Sequence, residues 1–296
     1  TFEKATVDPF IGKFGIRSIF NFFWAVGGWI TIVVLTLNGT VPLLAGMGLS
    51  VVFIQACYMP MHECVHHTPS GGRKSLAWID RFIGETTGLV LCESFHGHVT
   101  THLLHHTHAN GERDPDVLNS AGTPLQIFGR VIAGAVLYPL IPFIQLFPPL
   151  AKGIPPAIRE RFAERDRIRG PEVAKASRWI AIVHVIVLIA GTATGFGTAV
   201  WLLWYIPAWI GRFWLSLVFG WLPHHPHQET GRYQDTRIFT FIGSTFLIRG
   251  HDYHLLHHLF PRVPHYKLRL LWKSLGKHLD AQGARIEGRA AAQISY

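Results

Sequence analysis

Charge is what this chain lacks. Of its 296 residues only 15% are Asp, Glu, Lys or Arg, where a soluble globular domain carries about 25%. Too few groups face water for an ordinary soluble fold, and the mean hydropathy is positive, +0.24. Cysteine is scarce as well. Cys57, Cys64 and Cys92 form no CxxC pair, and three cannot all pair with one another. That excludes a disulfide framework and fits a reducing compartment. There is no internal repeat, no low-complexity tract and no linker that would set off a soluble domain, so one domain over 1–296 is expected. The first residues, TFEKATVDPF, lack the basic-then-apolar pattern of a cleavable signal.

Apolar runs and aromatic side chains are there in excess. Hydrophobic residues make up 49% of the chain, with ten Trp and twenty Phe, a composition that suits a membrane protein with aromatic belts at its interfaces. Ile19 to Leu37 is a nearly uncharged run of about 19 residues, enough for one crossing at 1.5 Å per residue. Asn38-Gly39-Thr40 makes a turn, and residues 41–61 return. A second hairpin covers 179–198 and 199–222, joined near Gly195-Phe196-Gly197. These four spans leave 62–178 and 223–296 as a cap on one side.

Charge placement gives the orientation. The tight loops near Asn38 and Gly195 hold no Lys or Arg. The N-terminus has Lys4, Lys13 and Arg17, and the long connection carries Lys152, Arg159, Arg161, Arg165, Arg167, Arg169, Lys175 and Arg178. An excess of positive charge marks the cytoplasmic side, which places both termini there, in a bacterial inner membrane. The formal charge of +9 is thus a topology signal. No aromatic residues interleave with the basic run, so a nucleic-acid partner is not expected. Residues 127–150 are apolar enough to span, yet hold Arg130, Pro139, Pro142, Pro148 and Pro149. A single crossing there would put the histidines before and after it on opposite sides, so an interfacial or re-entrant segment is expected. Arg212 falls near the middle of the last span. Either that span is shifted, which is the reading preferred, or the guanidinium meets a carboxylate inside the protein.

Most of the 19 histidines fall into three clusters. The first is His62-Glu63-Cys64-Val65-His66-His67. On a helix His62 and His66 face the same way, as two ligands of one metal must, while His67 sits about 100° further round and could serve a second ion. Alone, this cluster is also the HExxH signature of a zinc protease, with Glu63 as base. The second cluster is His102-Leu103-Leu104-His105-His106, with His98 one turn earlier. The third is His254-Leu255-Leu256-His257-His258, with His251 before it. A protease needs two histidines and one further ligand, which leaves both HxxHH clusters unexplained. Eight histidines with one more donor suit two metals, and imidazole suits Zn, Cu, Fe or Ni. A haem carrier built on span histidines is disfavoured, because only His184 lies within a span, where it reads as a hydrogen-bonded core residue.

HxxxHH, HxxHH and HxxHH, the first and last each after a hydrophobic hairpin, resemble the three histidine boxes of the membrane fatty acid desaturase and hydroxylase superfamily. Trp221-Leu222-Pro223-His224, Arg232 to Arg237 and Tyr253 to Pro261 are similar to its β-carotene ring hydroxylase branch. The resemblance implies an all-α integral membrane fold of four spans with a cytoplasmic cap that holds two irons. The ligands it carries over are His62, His66, His67, His102, His105, His106, His254, His257 and His258, together with a histidine just after the last span, His225 or else His224. His98, His251 and Asp252 are further candidates as ligands or as groups that orient them. Asp114, Asp116 and Asp235 could likewise hold an imidazole through its remaining N–H. Glu63 stands where Asp is common, and His251 where Asn or Gln is. His96, His108, His227, His265 and His278 read as solvated.

The reaction so implied uses dioxygen as co-substrate at two irons to break an unactivated C–H bond, giving an alcohol or an alkene. Its substrate is an apolar, lipid-like molecule that enters from the bilayer: a carotenoid ring, or alternatively a fatty acyl chain. Electrons would come from a separate donor, ferredoxin or a cytochrome b5-like protein with its reductase, drawn by the basic face.

Overall fold

A computed structural model describes residues 1–294. Among these, five helices are long and apolar enough to cross a membrane: Ile16–Leu37, Leu43–Val65, Pro124–Leu146, Pro171–Ala193 and Gly197–His224. The fold is an all-α integral membrane fold; the only strands among the described residues, Ile238–Thr240 and Ile286–Gly288, are three residues each and pair in parallel.

The first hairpin forms as its composition dictates. Ile16–Leu37 stops at Asn38, and Gly39 turns back at φ 81°, a conformation open to a residue without Cβ. The two helices then pack closely; a Cβ on Gly28 would overlap the ring of Phe53. The returning helix breaks at Cys57 and resumes as Tyr58–Val65, which carries the first histidine box. The second hairpin, Pro171–Ala193 and Gly197–His224, starts earlier than expected at its N-terminal end. Its last helix contains two wider, π-helical stretches, Trp201–Tyr205 and Ser216–Trp221. Three aromatic side chains at membrane depth donate to backbone carbonyls inside the bundle, where no water can serve. Trp29 Nε1 donates to Leu203 O at 2.8 Å, Trp204 Nε1 to Val90 O at 2.9 Å and Tyr205 Oη to Ala135 O at 2.6 Å.

Pro124–Leu146 does not run straight. It consists of Pro124–Leu137, a 3-10 turn Tyr138–Leu140 and Ile141–Leu146, broken where Pro139 and Pro142 withhold N–H groups. Its start lies beside the end of the last span, where Trp221 Nε1 donates to Gly122 O at 2.8 Å. After Phe147 the chain doubles back, so that Leu150 and Ile158 share a cavity with Ala133, Leu137 and Leu140. The helix Pro156–Arg169 then packs against the second-box helix Phe95–His108. The whole excursion begins and ends at one end of the bundle.

That end is closed by the C-terminal part. The helix His265–Ala281 buries Leu268, Leu271, Trp272, Leu275 and Leu279, one face at helical spacing. They pack with Leu255 and Leu256 of the third box, which are fully buried. Removal of a leucine from such a core costs about 2–5 kcal/mol, so the backbone that carries His254, His257 and His258 is held firmly.

Candidate metal centre

Four short helical segments bring the imidazoles together: Tyr58–Val65, Phe95–His108, the end of the last span at His224, and His254–Leu259. Each has a local reason to stop or start where it does. Ser94 caps the second-box helix, its Oγ accepting from Gly97 N at 3.1 Å. The third-box helix ends at Phe260, ahead of Pro261.

The rings sort into two groups. His62, His66, His102 and His257 have ring nitrogens within 4.8 Å of one another, as do His105, His224, His254 and His258. His106 adjoins the first group, with its Nε2 2.9 Å from that of His102 and 3.0 Å from that of His257. The sorting follows the helix period. His62 and His66, His102 and His106, and His254 and His258 are each one turn apart and share a group. His105 and His257, rotated about 100° from those neighbours, each join the opposite group.

Hydrogen bonding fixes the tautomers in the second group. A carboxylate and a carbonyl can only accept, so His105 Nδ1–H donates to Asp114, 3.0 Å from either oxygen, and His224 Nδ1–H donates to Asp235 O at 3.1 Å. In the neutral rings both Nε2 atoms are then bare lone pairs, yet they lie 3.1 Å apart, and His224 Nε2 is also 3.1 Å from His254 Nε2. Lone pairs repel at that distance unless a proton or a metal cation sits between them, and a metal takes the place of the proton when it binds. Two nitrogens about 2.1 Å from one ion, at right angles to each other, are about 3 Å apart. The ring nitrogens of His62 and His258 are buried and have no hydrogen-bond partner. The donor set therefore fits a metal in each group.

Electrostatics separate the two groups. Burial pushes His66 down to about 3, and drives His102, His106 and His257 well below the ordinary imidazole range, with neighbouring rings adding to it. His105 goes the other way. Burial would lower it, but Asp116 and the hydrogen bond to Asp114 outweigh that and raise it to about 9.

Several sequence expectations are corrected here. His67 does not reach either group. The helix ends at Val65, His67 turns out at φ 57°, and its Nδ1 meets Asp80 at 3.1 Å with the side chain 65% exposed. His225 also points elsewhere. Its backbone is extended ahead of Pro226, its ring lies 4.6 Å from that of Trp221, and His224 is the residue brought to the second group. Asp252 orients no imidazole, for its Oδ2 accepts from Ser244 Oγ at 2.7 Å and Thr245 Oγ1 at 2.9 Å. Glu63, the base of a protease reading, is turned away to the hydroxyl of Ser18 and to His265, whose N and Nδ1 are both 2.8 Å from Oε1. His265 and His227 are therefore not solvated; His227 Nε2 lies 3.1 Å from Ser120 Oγ. Arg212 has its internal carboxylate, Glu93, at 2.6 Å, so no shift of the span is needed.

The other candidates stand at the rim. His251 is buried with both ring nitrogens unpartnered, its ring 4.8 Å from that of His62 and 5.0 Å from that of His257. His98 stacks on His102 at 5.5 Å. Asp116 and Asp235 lie 3.8 Å from His105 Nδ1 and 3.9 Å from His258 Nδ1. His184 is a satisfied core residue, bonded to Tyr138 Oη at 2.6 Å and Leu89 O at 3.0 Å.

With this geometry in view, the fatty acid desaturase family model matches residues 38–289. The chain belongs to the fatty acid desaturase family. Two relatives bear this out at low identity. The sn-2 acyl-lipid omega-3 desaturase (ferredoxin), chloroplastic, of Arabidopsis thaliana is 24% identical over 72% of this chain and 50% of its own length. The omega-3 fatty acid desaturase, chloroplastic, of Brassica napus is 31% identical over 22% of this chain and 19% of its own. This desaturase family member thus spans half the length of the Arabidopsis relative it matches.

Proposed function

We propose that this protein is a membrane di-iron oxygenase that oxidises an unactivated C–H bond of a lipid-like substrate. The observation that supports it most is the pairing of two all-imidazole groups, one of them oriented by Asp114, at the end of an apolar bundle. His62, His66, His102, His106 and His257 would hold one iron, and His105, His224, His254 and His258 the other. Iron in such a pair supplies dioxygen chemistry strong enough for an alkyl C–H bond. The chain's own residues orient and shield. Asp114 holds His105 in one tautomer, Asp235 O does so for His224, and buried Leu255, Leu256 and Val263 keep water from the rear of the third box.

The two histidine groups adjoin one another, so on this reading they share one face of the membrane and an even number of crossings separates the second box from the third. We read four spans, with residues 124–158 entering and leaving by the same face, and the positive loops put that face and both termini in the cytoplasm. A separate electron donor, ferredoxin or a cytochrome b5-like protein, would dock there. The ferredoxin in the Arabidopsis relative's name favours the former.

Two substrates are supported by different observations. The two omega-3 desaturase relatives favour an acyl chain and a new double bond. The Trp221-Leu222-Pro223-His224 and Tyr253 to Pro261 stretches favour ring hydroxylation of a carotenoid. The purified protein should carry about two irons per chain. Expression in cells supplied with oleoyl lipids or β-carotene, followed by mass analysis of both pools, then separates an alkene from an alcohol. One zinc per chain, or no oxidised lipid in either pool, would overturn the proposal.

A further inference from the structure

The helix Pro156–Arg169 carries a second arrangement that the metal centre does not use. Arg161, Arg165 and Arg169 recur every four residues and line one face. Elsewhere on the helix Arg167 pairs with Glu164 at 2.5 Å, and Asp166 with Arg178 at 3.5 Å. The stripe is not matched. The Nε of Arg165 and that of Arg169 are buried with no hydrogen-bond partner. Glu93, the nearby carboxylate, is already engaged by Arg212 at 2.6 Å, and Asp116 lies by His105 at 3.8 Å. Burial, then the charge of Arg169, pushes the Arg165 guanidinium down to about 10. The charges of Glu93 and Asp166 bear on Arg165, and that of Glu93 on Arg169. With Glu93 already bonded to Arg212, the stripe keeps an excess of positive charge beside partly buried guanidiniums, which suits an anion.

The same helix supplies the neighbouring apolar site. Ile158, one turn before Arg161, lines a cavity of about 500 Å³ together with Ala133, Leu137, Leu140, Phe143 and Leu150. Arg165 is about 10 Å further along the helix axis, at 1.5 Å per residue. An apolar chamber that ends at a row of guanidiniums has the shape of an amphiphile. Guanidinium forks match phosphate oxygens two at a time.

We propose that the stripe and the cavity form one binding site for an acyl lipid with an acidic phosphate head, the chain in the cavity and the phosphate on Arg161, Arg165 and Arg169. This site does not depend on the di-iron reading.

The test uses the full chain, delipidated in detergent, with native mass spectrometry of its complexes. The probes are dioleoyl phosphatidylglycerol, dioleoylglycerol with the same chains and no phosphate, and inorganic phosphate alone. One phosphatidylglycerol per chain is expected, bound about tenfold or more weaker by the Arg165→Gln/Arg169→Gln variant, a loss in keeping with two charge-assisted contacts. Dioleoylglycerol should bind more weakly and ignore the arginine changes, and Leu140→Trp, which fills the cavity, should weaken both lipids. Arg167→Gln, away from the stripe, should change nothing. Because it removes two like charges from one helix face, the double variant should melt close to the parent, and its melting point is measured to guard against misfolding as the cause. Equal retention of phosphatidylglycerol by parent and double variant would overturn the site, as would inorganic phosphate bound as tightly as the lipid. Iron content measured on the same samples keeps failure here distinct from failure of the metal reading.

Discussion

The two histidine groups are built from the same residue type at the same end of the bundle, yet their surroundings differ. The first, His62, His66, His102, His106 and His257, has no carboxylate hydrogen-bonded to any of its rings. The second has Asp114 on His105, with Asp116 and Asp235 within 4 Å of its rings. On the proposed di-iron reading, one metal position then has carboxylates at its rings and the other has none hydrogen-bonded to them. A carboxylate behind a ligating imidazole raises its basicity and fixes its tautomer, so the second position should hold its metal more tightly and favour the higher oxidation state.

The sharpest way to break that comparison uses two adjacent residues. His257 belongs to the first group and His258 to the second, although one helix carries both. His257→Ala should lose the first iron and His258→Ala the second, each with activity down about 10³-fold or more, since a lost ligand removes the chemistry the metal supplies. Iron analysis and Mössbauer spectra would read which position empties. Loss of the same iron from both variants would mean that the groups are not separate sites. An HExxH protease built on His62 and His66 would keep its activity in His258→Ala, since His258 lies in the other group.

Asp114→Asn sharpens the contrast at smaller cost. The amide keeps the shape but removes the charge and the sole acceptor character, so the second iron should bind about 10–100-fold more weakly while the first is unchanged. A chelator titration with iron read at intervals resolves the two losses. Equal weakening at both positions would show that the carboxylate acts on the fold and not on one group.

Much of this arrangement was legible in the residues, and what was missed has a common physical cause. The three boxes, and the rule that partners one turn apart share a metal, follow from helical spacing alone. What spacing could not supply was where each helix stops. His67 was read as lying further round the same helix, and His225 was taken, ahead of His224, as the histidine that the resemblance puts just after the last span. The signal was available in each case: Thr68-Pro69 and Gly71-Gly72 follow His67, and Pro226 follows His225. A residue ahead of proline is driven out of the helical region. Asp252 looked better placed than Asp114 because it lies between two box histidines. Yet Asp114 reaches His105 only because the chain turns back at Gly111 after the second-box helix, an event of tertiary structure.

Glu63 tests the first group from behind. It is buried, bonded to Ser18 and twice to His265, and these bonds tie the first span and the helix His265–Ala281 to the first box. Glu63→Gln should lower stability by about 1.5–3 kcal/mol, the range for hydrogen bonds to a charged group, and leave both irons in place. Thermal unfolding with iron analysis checks it. Abolished turnover with the irons retained and the melting point unchanged would instead make Glu63 a participant in the chemistry.

The smallest effect is expected at His67. Its side chain is 65% exposed and meets Asp80 at 3.1 Å, a contact of the exposed kind worth about 0–1 kcal/mol. Asp80 itself stays satisfied without it, since Ser70 N and Ser70 Oγ donate to it at 2.9 and 2.6 Å. His67→Ala should therefore keep two irons, full activity and a melting point within a degree or two of the parent. If iron at either position were lost, the ring would have to swing back through its left-handed backbone to bind. The first group would then be short of donors without it, and the contrast between a five-imidazole position and a carboxylate-backed four-imidazole one would no longer describe the loaded enzyme.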